Sequence, residues 1–276
     1  MKPLSQNNFN KDEYFRLLDE IPLWSAPFGL KLLEFIEYKS AITALDIGFG
    51  TGFPLIELAM RLGNTSKVYG IDPDKAVMDR VNKKIKSYGI KNIKIIEGFA
   101  ESIPMEDCSV DLITANNGIN NVDDIAKVIS ECARVMKKDG QFVLTMNLDK
   151  SFFEFYKLFE KVLKEMNMKT EIDMMYQHIS QKRPPLKNIE SLLRKNGFYI
   201  KNLEHDSFNY KFTDGTAMFN HFFIRLSFLE AWMSLLPEVK REVVFETIET
   251  RLNEKAKKLG GVNMTIPYIT VNATKQ

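Results

Sequence analysis

Leu45-Asp46-Ile47-Gly48-Phe49-Gly50-Thr51-Gly52-Phe53-Pro54 joins a short apolar run, Ile42–Ile47, to a segment with helical spacing, Pro54–Leu62. Glycines at alternate positions directly after a strand let the backbone turn tightly and approach a ligand that a side chain would block. The helix that follows offers its first amides to a negatively charged group. A glycine-rich turn without a ligand has a similar composition, but the strand before and the helix behind favour a binding loop. Spacing removes two rival loops. The dinucleotide fingerprint G-x-G-x-x-G needs a small residue where Phe53 stands, and no G-K-[ST] follows, which excludes a P-loop.

Working outward, short apolar runs alternate with amphipathic ones. Val68–Ile71, Ile93–Ile96, Val110–Thr114 and Phe142–Met146 read as strands. Asp74–Tyr88 and Val122–Met136 read as helices, with Gly63 ending the helix before them and Lys137-Lys138-Asp139-Gly140 forming a turn. Such alternation means crossover connections and a parallel sheet covered on both faces. Ligands in these sheets bind at the carboxyl ends of the strands, which brings the loops after residues 47, 71, 97, 114 and 146 to one cleft. Asp72 ends the second strand in Gly70-Ile71-Asp72-Pro73, where a carboxylate can accept hydrogen bonds from both hydroxyls of an adenosine ribose. Nicotinamide and methyl-donor cofactors share that half, so the glycine spacing separates them and Asp72 does not.

Before the sheet, helical segments at about 10–20 and 27–38 are placed to close over the cleft, and Trp24 is a candidate to cover it. The second half is less regular. Ser151–Met166 is helical and rich in Phe, Tyr and Leu; Pro184-Pro185 precedes a helix at Leu186–Lys195, which Gly197 ends. Phe198–Glu204 and Ile266–Ala273 read as strands, with an aromatic helical block, Ala217–Leu236, and a charged helix, Val239–Lys258, between them. The expected fold is α/β: one Rossmann-like sheet of about seven mostly parallel strands, helices on both faces and a helical cap. Three regions follow: 1–40 as N-terminal covering helices, 41–149 as the core, and 150–276 as the remaining strands with cap insertions at 150–182 and 205–262.

Composition bounds the function. A net charge of +2 over 276 residues is too small to imply a polyanionic partner, and Lys255-Ala256-Lys257-Lys258 reads as a solvated helix end. Cys108 and Cys132 have no Cys-x-x-Cys spacing, which excludes a cysteine-built zinc site and a disulfide framework; no metal site is expected. The opening residues lack an apolar signal core and no run approaches the roughly 20 apolar residues of a membrane span, so a cytoplasmic protein is expected.

Taken in order, these motifs resemble the class I S-adenosylmethionine-dependent methyltransferases, and within them the branch of ubiquinone/menaquinone-biosynthesis methyltransferases. ALDIGFGTGFP resembles the first motif, GIDPD the acidic second, GFAESIP the loop after the third strand, VDLITANN the fourth strand and RVMKKDGQFVLT the fifth-strand hairpin. The resemblance covers residues 41–147. It implies that Gly48, Gly50 and Gly52 lie against the methionine part of S-adenosylmethionine, with Asp46 ordering the loop. It implies further that Asp72, beside Pro73, holds the ribose, that Phe99 and Ala100 flank the adenine, and that Asn116 faces the sulfonium end. Many members carry Asp at the position of Phe99; here the adenine contact falls to backbone groups or Glu101.

A sulfonium is already activated, so positioning alone can supply about 7–11 kcal/mol, and no catalytic triad is required. A base is needed only where the acceptor must lose a proton. His178, His205 and His221 all fall in the expected cap; each reads first as a surface or packed histidine, and His221, in Asn220-His221-Phe222-Phe223, has the best context for catalysis. Asn117, in the amide-rich run Asn116–Asn121, is the other candidate, against the plain reading of an asparagine turn. That run is not the N-P-P-Y or D-P-P-Y type of DNA adenine methylases, so no DNA partner is expected. The aromatic stripes at 152–156 and 219–232 have core spacing, with an acceptor pocket bearing on His221, Tyr176 and Trp232 as the alternative. The leading expectation is methyl transfer to a small molecule. The alternatives are an RNA or protein methyltransferase, which calls for a basic groove or recognition module that is not visible, and a non-catalytic cofactor-binding protein.

Overall fold

The computed structural model describes Arg16, Asp19 and residues 23–276. Seven strands, β1 (Thr43–Ile47), β2 (Lys67–Asp72), β3 (Ile93–Glu97), β4 (Val110–Asn116), β5 (Met136–Asn147), β6 (Phe198–Phe212) and β7 (Val262–Lys275), form one sheet in the order β3-β2-β1-β4-β5-β7-β6. The pairings from β3 through β5 are parallel, and β7 returns antiparallel to β5, Gln141 opposite Thr274 and Asn147 opposite Tyr268. The register aligns the carboxyl ends: Ile47 with Ile71, Asp72 with Glu97, Asn116 with Thr145. The loops expected to share an edge do share one.

Strand alternation sorts the core into two layers. Ala44, Val68, Leu112 and Val143 face one layer with α1 (Ser25–Phe35), α2 (Leu55–Leu62) and α3 (Lys75–Ser87), through Leu32, Leu33, Leu55, Leu58, Val77 and Val81. Leu45, Ile47, Ile113 and Leu144 face the other with α4 (Ile125–Val135) and α7 (Leu186–Lys195), through Val128, Ile129, Ile189 and Leu193. Helix boundaries follow local chemistry. Gly63, at φ 69°, caps α2, with its N–H donating to the Ala59 carbonyl; the Asp74 and Asp124 carboxylates accept from Ala76 N and Lys127 N to start α3 and α4. Pro54 lies one residue earlier than expected, at the N-cap of α2.

Lys137–Gly140, expected as a turn, lies within the span of β5 and folds back on itself there, a Gly140 Cβ coming within 2.9 Å of the Lys137 carbonyl oxygen. Val110 pairs with Met136 and Leu112 with Gln141, so residues 137–140 are displaced from the ladder. Asp139 takes φ 61° there, and Lys137 Nζ donates to both carboxylate oxygens of Asp111 at 2.9 and 2.8 Å. The expected helix at 10–20 falls outside the described residues except for Arg16 and Asp19. Beyond the sheet core, α6 (Lys169–Lys182) is a helix that the apolar pattern had not singled out.

The described chain divides into two compact units, and it passes between them after Leu148, Arg183, Asp206 and Pro267. The first holds residues 23–148, 184–206 and 268–276; the second holds 149–183 and 207–267. In the second unit α5 (Phe153–Glu165), α6, α8 (Gly215–Asn220), α9 (Phe222–Ile224), a π-helical turn at Arg225–Leu229, α10 (Glu230–Ser234) and α11 (Glu238–Leu259) surround an aromatic core. Trp232 is its centre: fully buried, stacked on Phe155 with ring centroids 3.9 Å apart, and donating from Nε1 to the Tyr156 hydroxyl at 3.0 Å. Trp232 is therefore a core residue rather than a pocket wall.

Asp46 is a carboxylic acid sealed into the first unit. It is fully buried in β1, accepts from Thr114 Oγ1 at 2.6 Å through one oxygen, and its other oxygen has no hydrogen-bond partner. Burial raises its pKa to about 7; the Thr114 hydrogen bond opposes that shift and the nearby negative charge of Asp72 adds to it. A folded-state pKa above the unfolded value means that the native state binds the proton more tightly, so stability falls as pH rises from about 4 to about 7 and is level above that.

Two outcomes follow from this packing. In urea titrations, the stability of wild type relative to Asp46→Asn should decline by a few kcal/mol between pH 4 and pH 7; a constant difference across that window would mean that Asp46 is ionised throughout. Trp232→Ala should cost about 3–5 kcal/mol by the same measurement, through the lost rings and the stranded Tyr156 hydroxyl.

Candidate active site

The glycine loop after β1 is held open by its own backbone. Gly48, Gly50 and Gly52 all have positive φ, at 70°, 50° and 104°. Gly48 N donates to the Ile71 carbonyl at 2.9 Å, and Gly50 N donates to Asp72 Oδ2 at 2.9 Å, so both anchors lie at the end of β2. Among the described residues nothing lies within 4 Å of the position that a Gly50 Cβ would take. A glycine with empty space before it and its amide fastened behind is a cradle for a ligand's backbone-close approach. Gly48 has the opposite reason: a Cβ there would come within 2.9 Å of Gly118 Cα.

Asp72 is buried, and its carboxylate is fixed by two amides, Gly50 N on Oδ2 and Asp74 N on Oδ1, each at 2.9 Å. Each carboxylate oxygen can accept more than one hydrogen bond, and two fixed oxygens match the two hydroxyls of a diol. Asp46 was expected to order the loop; its carboxylate accepts instead from Thr114 on β4, and the acid hydrogen-bonded to the loop is Asp72. Lys84 on α3 adds a further tie, donating to the Thr51 carbonyl at 2.8 Å and pairing with Asp19.

After β3 the Phe99 ring is 62% exposed while Ala100 beside it is buried. Pro73 is exposed next to Asp72. Glu101 Oε1 accepts from Asp123 N at 3.0 Å and Asp124 N at 3.3 Å, which ties it to the start of α4. After β4, Asn116 is buried and bonded at both ends: its Nδ2 donates to the Ser25 carbonyl at 3.1 Å, and its Oδ1 accepts from Thr145 Oγ1 at 3.0 Å. Asn117 sits at φ 60°, takes Thr145 as partner for its N–H and accepts from Asn147 N at 3.0 Å. It splices the β4 loop to β5, a structural task for one of the two catalytic candidates.

Thr145 is the residue that the sequence reading passed over. Fully buried at the end of β5, it serves both asparagines; a hydroxyl closing the apolar run Phe142–Met146 was the available signal. The first unit thus brings Asp46, Gly48, Gly50, Gly52, Asp72, Pro73, Phe99, Ala100, Glu101, Asn116 and Asn117 to one edge of the sheet. His221 belongs to the second unit. It is half-buried among Phe212, Phe222 and Tyr210, at ring distances of 5.4, 5.0 and 6.1 Å, and burial lowers its pKa. Its Nδ1 is buried without a hydrogen-bond partner, as are the Tyr210 hydroxyl and Ser227 Oγ in the same unit.

Among the described residues no helix is long and apolar enough to cross a membrane. Residues 45–144 match the family described as a methyltransferase domain. The chain is 29% identical over 215 residues to a demethylmenaquinone methyltransferase of Lactococcus lactis, covering 72% of this chain and 78% of that one. A second, of Geobacillus stearothermophilus, is 35% identical over 116 residues, 42% of this chain and 50% of that protein. Among solved structures, a putative methyltransferase of Bacillus halodurans superposes with TM-score 0.58 at 18% identity, over 90% of this chain and 98% of that chain. A geranyl diphosphate methyltransferase in complex with S-adenosylmethionine superposes with TM-score 0.57 at 15% identity, over 99% and 94%. The glycine loop and the acid that ends β2 both lie within the matched hundred residues, and the chain is a methyltransferase similar to the menaquinone-biosynthesis enzymes.

Proposed function

We propose that this enzyme methylates a small molecule and that S-adenosylmethionine lies along the edge formed by Gly48–Gly52, Asp72–Pro73, Phe99–Glu101 and Asn116. The observation that carries this is the coupling of Gly50 to Asp72: one contact holds the open cradle and the fixed carboxylate in mutual register. Bound there, the cofactor supplies a sulfonium-activated methyl group open to in-line displacement. Asp72 accepts from the ribose hydroxyls, its orientation set in advance by two amides. The exposed Phe99 ring covers the adenine, and Ala100 leaves room beside it. Glu101, occupied at the start of α4, leaves the adenine edge to backbone groups. Asn116, locked between Ser25 and Thr145, presents an uncharged amide that does not move when the acceptor arrives.

A small-molecule acceptor is supported by the names of the relatives, demethylmenaquinone methyltransferases, and of the geranyl diphosphate methyltransferases among the structural neighbours. The first unit's loops are committed to the cofactor, so we assign acceptor recognition to 149–183 and 207–267. His221 is the base for an acceptor that must lose a proton. Its lowered pKa keeps it neutral near pH 7, and its unpartnered Nδ1 can accept.

Calorimetry should give micromolar binding of S-adenosylhomocysteine, near −8 kcal/mol, with NADH far weaker; preferential NADH binding would overturn the assignment. Asp72→Ala should lower that affinity roughly 10²-fold in a protein still folded by circular dichroism, since each charge-assisted bond is worth about 1.5–3 kcal/mol. Gly50→Val should be as damaging, because a β-branched residue resists positive φ and fills the cradle. With an acceptor in hand, His221→Asn should reduce kcat about 10²-fold while leaving cofactor affinity intact. The wild-type rate should fall on acidification through a value below the usual histidine range; a rate unchanged by the substitution removes His221 from the chemistry.

A further inference from the structure

Arg183 ends α6 in the second unit and is 5% exposed, yet no carboxylate among the described residues pairs with it. Its guanidinium makes one side-chain hydrogen bond, from Nη1 to the Ser151 carbonyl at a long 3.4 Å. The guanidinium carbon also stands 5.7 Å from the centroid of the Tyr156 ring. A guanidinium has five N–H donors, so most of this one's capacity is unused by the protein. The ordinary partner of an arginine at a helix C-terminus is the last turn of carbonyls, and no such bond forms here. Glu154, the acid in the first turn of α5, is committed elsewhere: its two oxygens accept from Thr265 N at 3.0 Å and Thr265 Oγ1 at 2.5 Å.

Burying a cation without a counter-charge is unfavourable, and a native fold that does so invites an anion as the missing partner. Tyr156 is itself held in place by the Trp232 indole N–H, so the ring beneath the guanidinium is rigid. Arginine's planar fork is suited to two oxygens of one acid group. Ser151, its one hydrogen-bond partner, follows Asn147, the last residue of β5, by four positions.

We propose that Arg183 is an anion-binding residue, taking the carboxylate or phosphate group of a small ligand. The assignment stands apart from the methyl-transfer reading. The site is testable without turnover. Full-length protein saturated with S-adenosylhomocysteine is titrated by calorimetry with inorganic phosphate and, separately, with acetate, for wild type, Arg183→Gln and Arg183→Lys. At least one anion should bind wild type at a single site, and which one identifies the acid class. Arg183→Gln should weaken that binding tenfold or more, and Arg183→Lys, a point charge without the fork, at least threefold, with S-adenosylhomocysteine affinity unchanged in both. If glutamine prevents folding, the lysine variant decides. No anion binding by wild type, or equal binding by whichever folded variant is measured, overturns the proposal. Loss of S-adenosylhomocysteine binding by wild type would instead strike the cofactor reading and leave the anion result to stand separately.

Discussion

The hydrogen bond from Gly50 N to Asp72 couples two segments, twenty-two residues apart in the chain, at the end of adjacent parallel strands. Everything at the carboxyl edge takes its geometry from that coupling. The loop after β1 would otherwise be a run of three glycines, the residue type that loses most conformational freedom on ordering. Fastening its middle amide to a carboxylate, and Gly48 to the Ile71 carbonyl, converts a floppy turn into a defined concavity. In return the amides of Gly50 and Asp74 hold the Asp72 carboxylate in one orientation as an acceptor. The second acid at this edge is placed differently: Asp46, buried with one hydroxyl partner, moves toward neutrality.

How much of this was visible in the chain depends on the range of the interaction. β1 to β4, α2 and α3 were legible because each rests on local signals: apolar runs, a proline and a glycine at the helix ends, an aspartate cap. Leu186–Lys195 was legible to the residue, between Pro185 and Gly197. The residues expected at the cofactor were placed together because they follow strand ends in order. What local signals could not supply was partnership. Asp46 looked like the acid that orders the loop, yet the bond that does so comes from a different strand, because Thr114 lies beside Asp46 in register and takes its oxygen. Lys137–Gly140 has turn composition, and the ladder with β4 skips it: Met136 and Gln141 pair on either side and the register shifts between them. α6 was expected only as part of the inserted helices at 150–182, without bounds of its own: among its described side chains only Met175 is fully buried, so it has little apolar stripe to read.

The loop after β4 illustrates how a polar sequence can be structural. Four asparagines in six residues suggested substrate contacts, but Asn116 and Asn117 spend their hydrogen bonds on Ser25, Thr145 and Asn147. Asn117 in left-handed geometry lets Gly118 come back against the β1 end, where a Cβ would lie 2.3 Å from the Ile47 carbonyl oxygen. A charged residue in this place would need a partner that the packing does not offer. Uncharged amides satisfy one another and still leave the edge polar.

The second unit follows a different logic. Its interior is aromatic, with rings from α5, α8, α10 and α11 in edge or stacked contact around Trp232, and such a core is rigid because each ring fixes its neighbours. Polar atoms without partners are therefore conspicuous in it. The Tyr210 hydroxyl, His221 Nδ1 and Ser227 Oγ are each buried and unbonded, and Ser227 lies in the π-helical turn that interrupts the aromatic helix. π-Turns are costly and recur where function demands a displaced side chain. Leaving three hydroxyl or imidazole groups unsatisfied in a packed core is unfavourable. A unit stabilised by its rings can tolerate such losses at a few positions, because the stacked and edge contacts around Trp232 offset them.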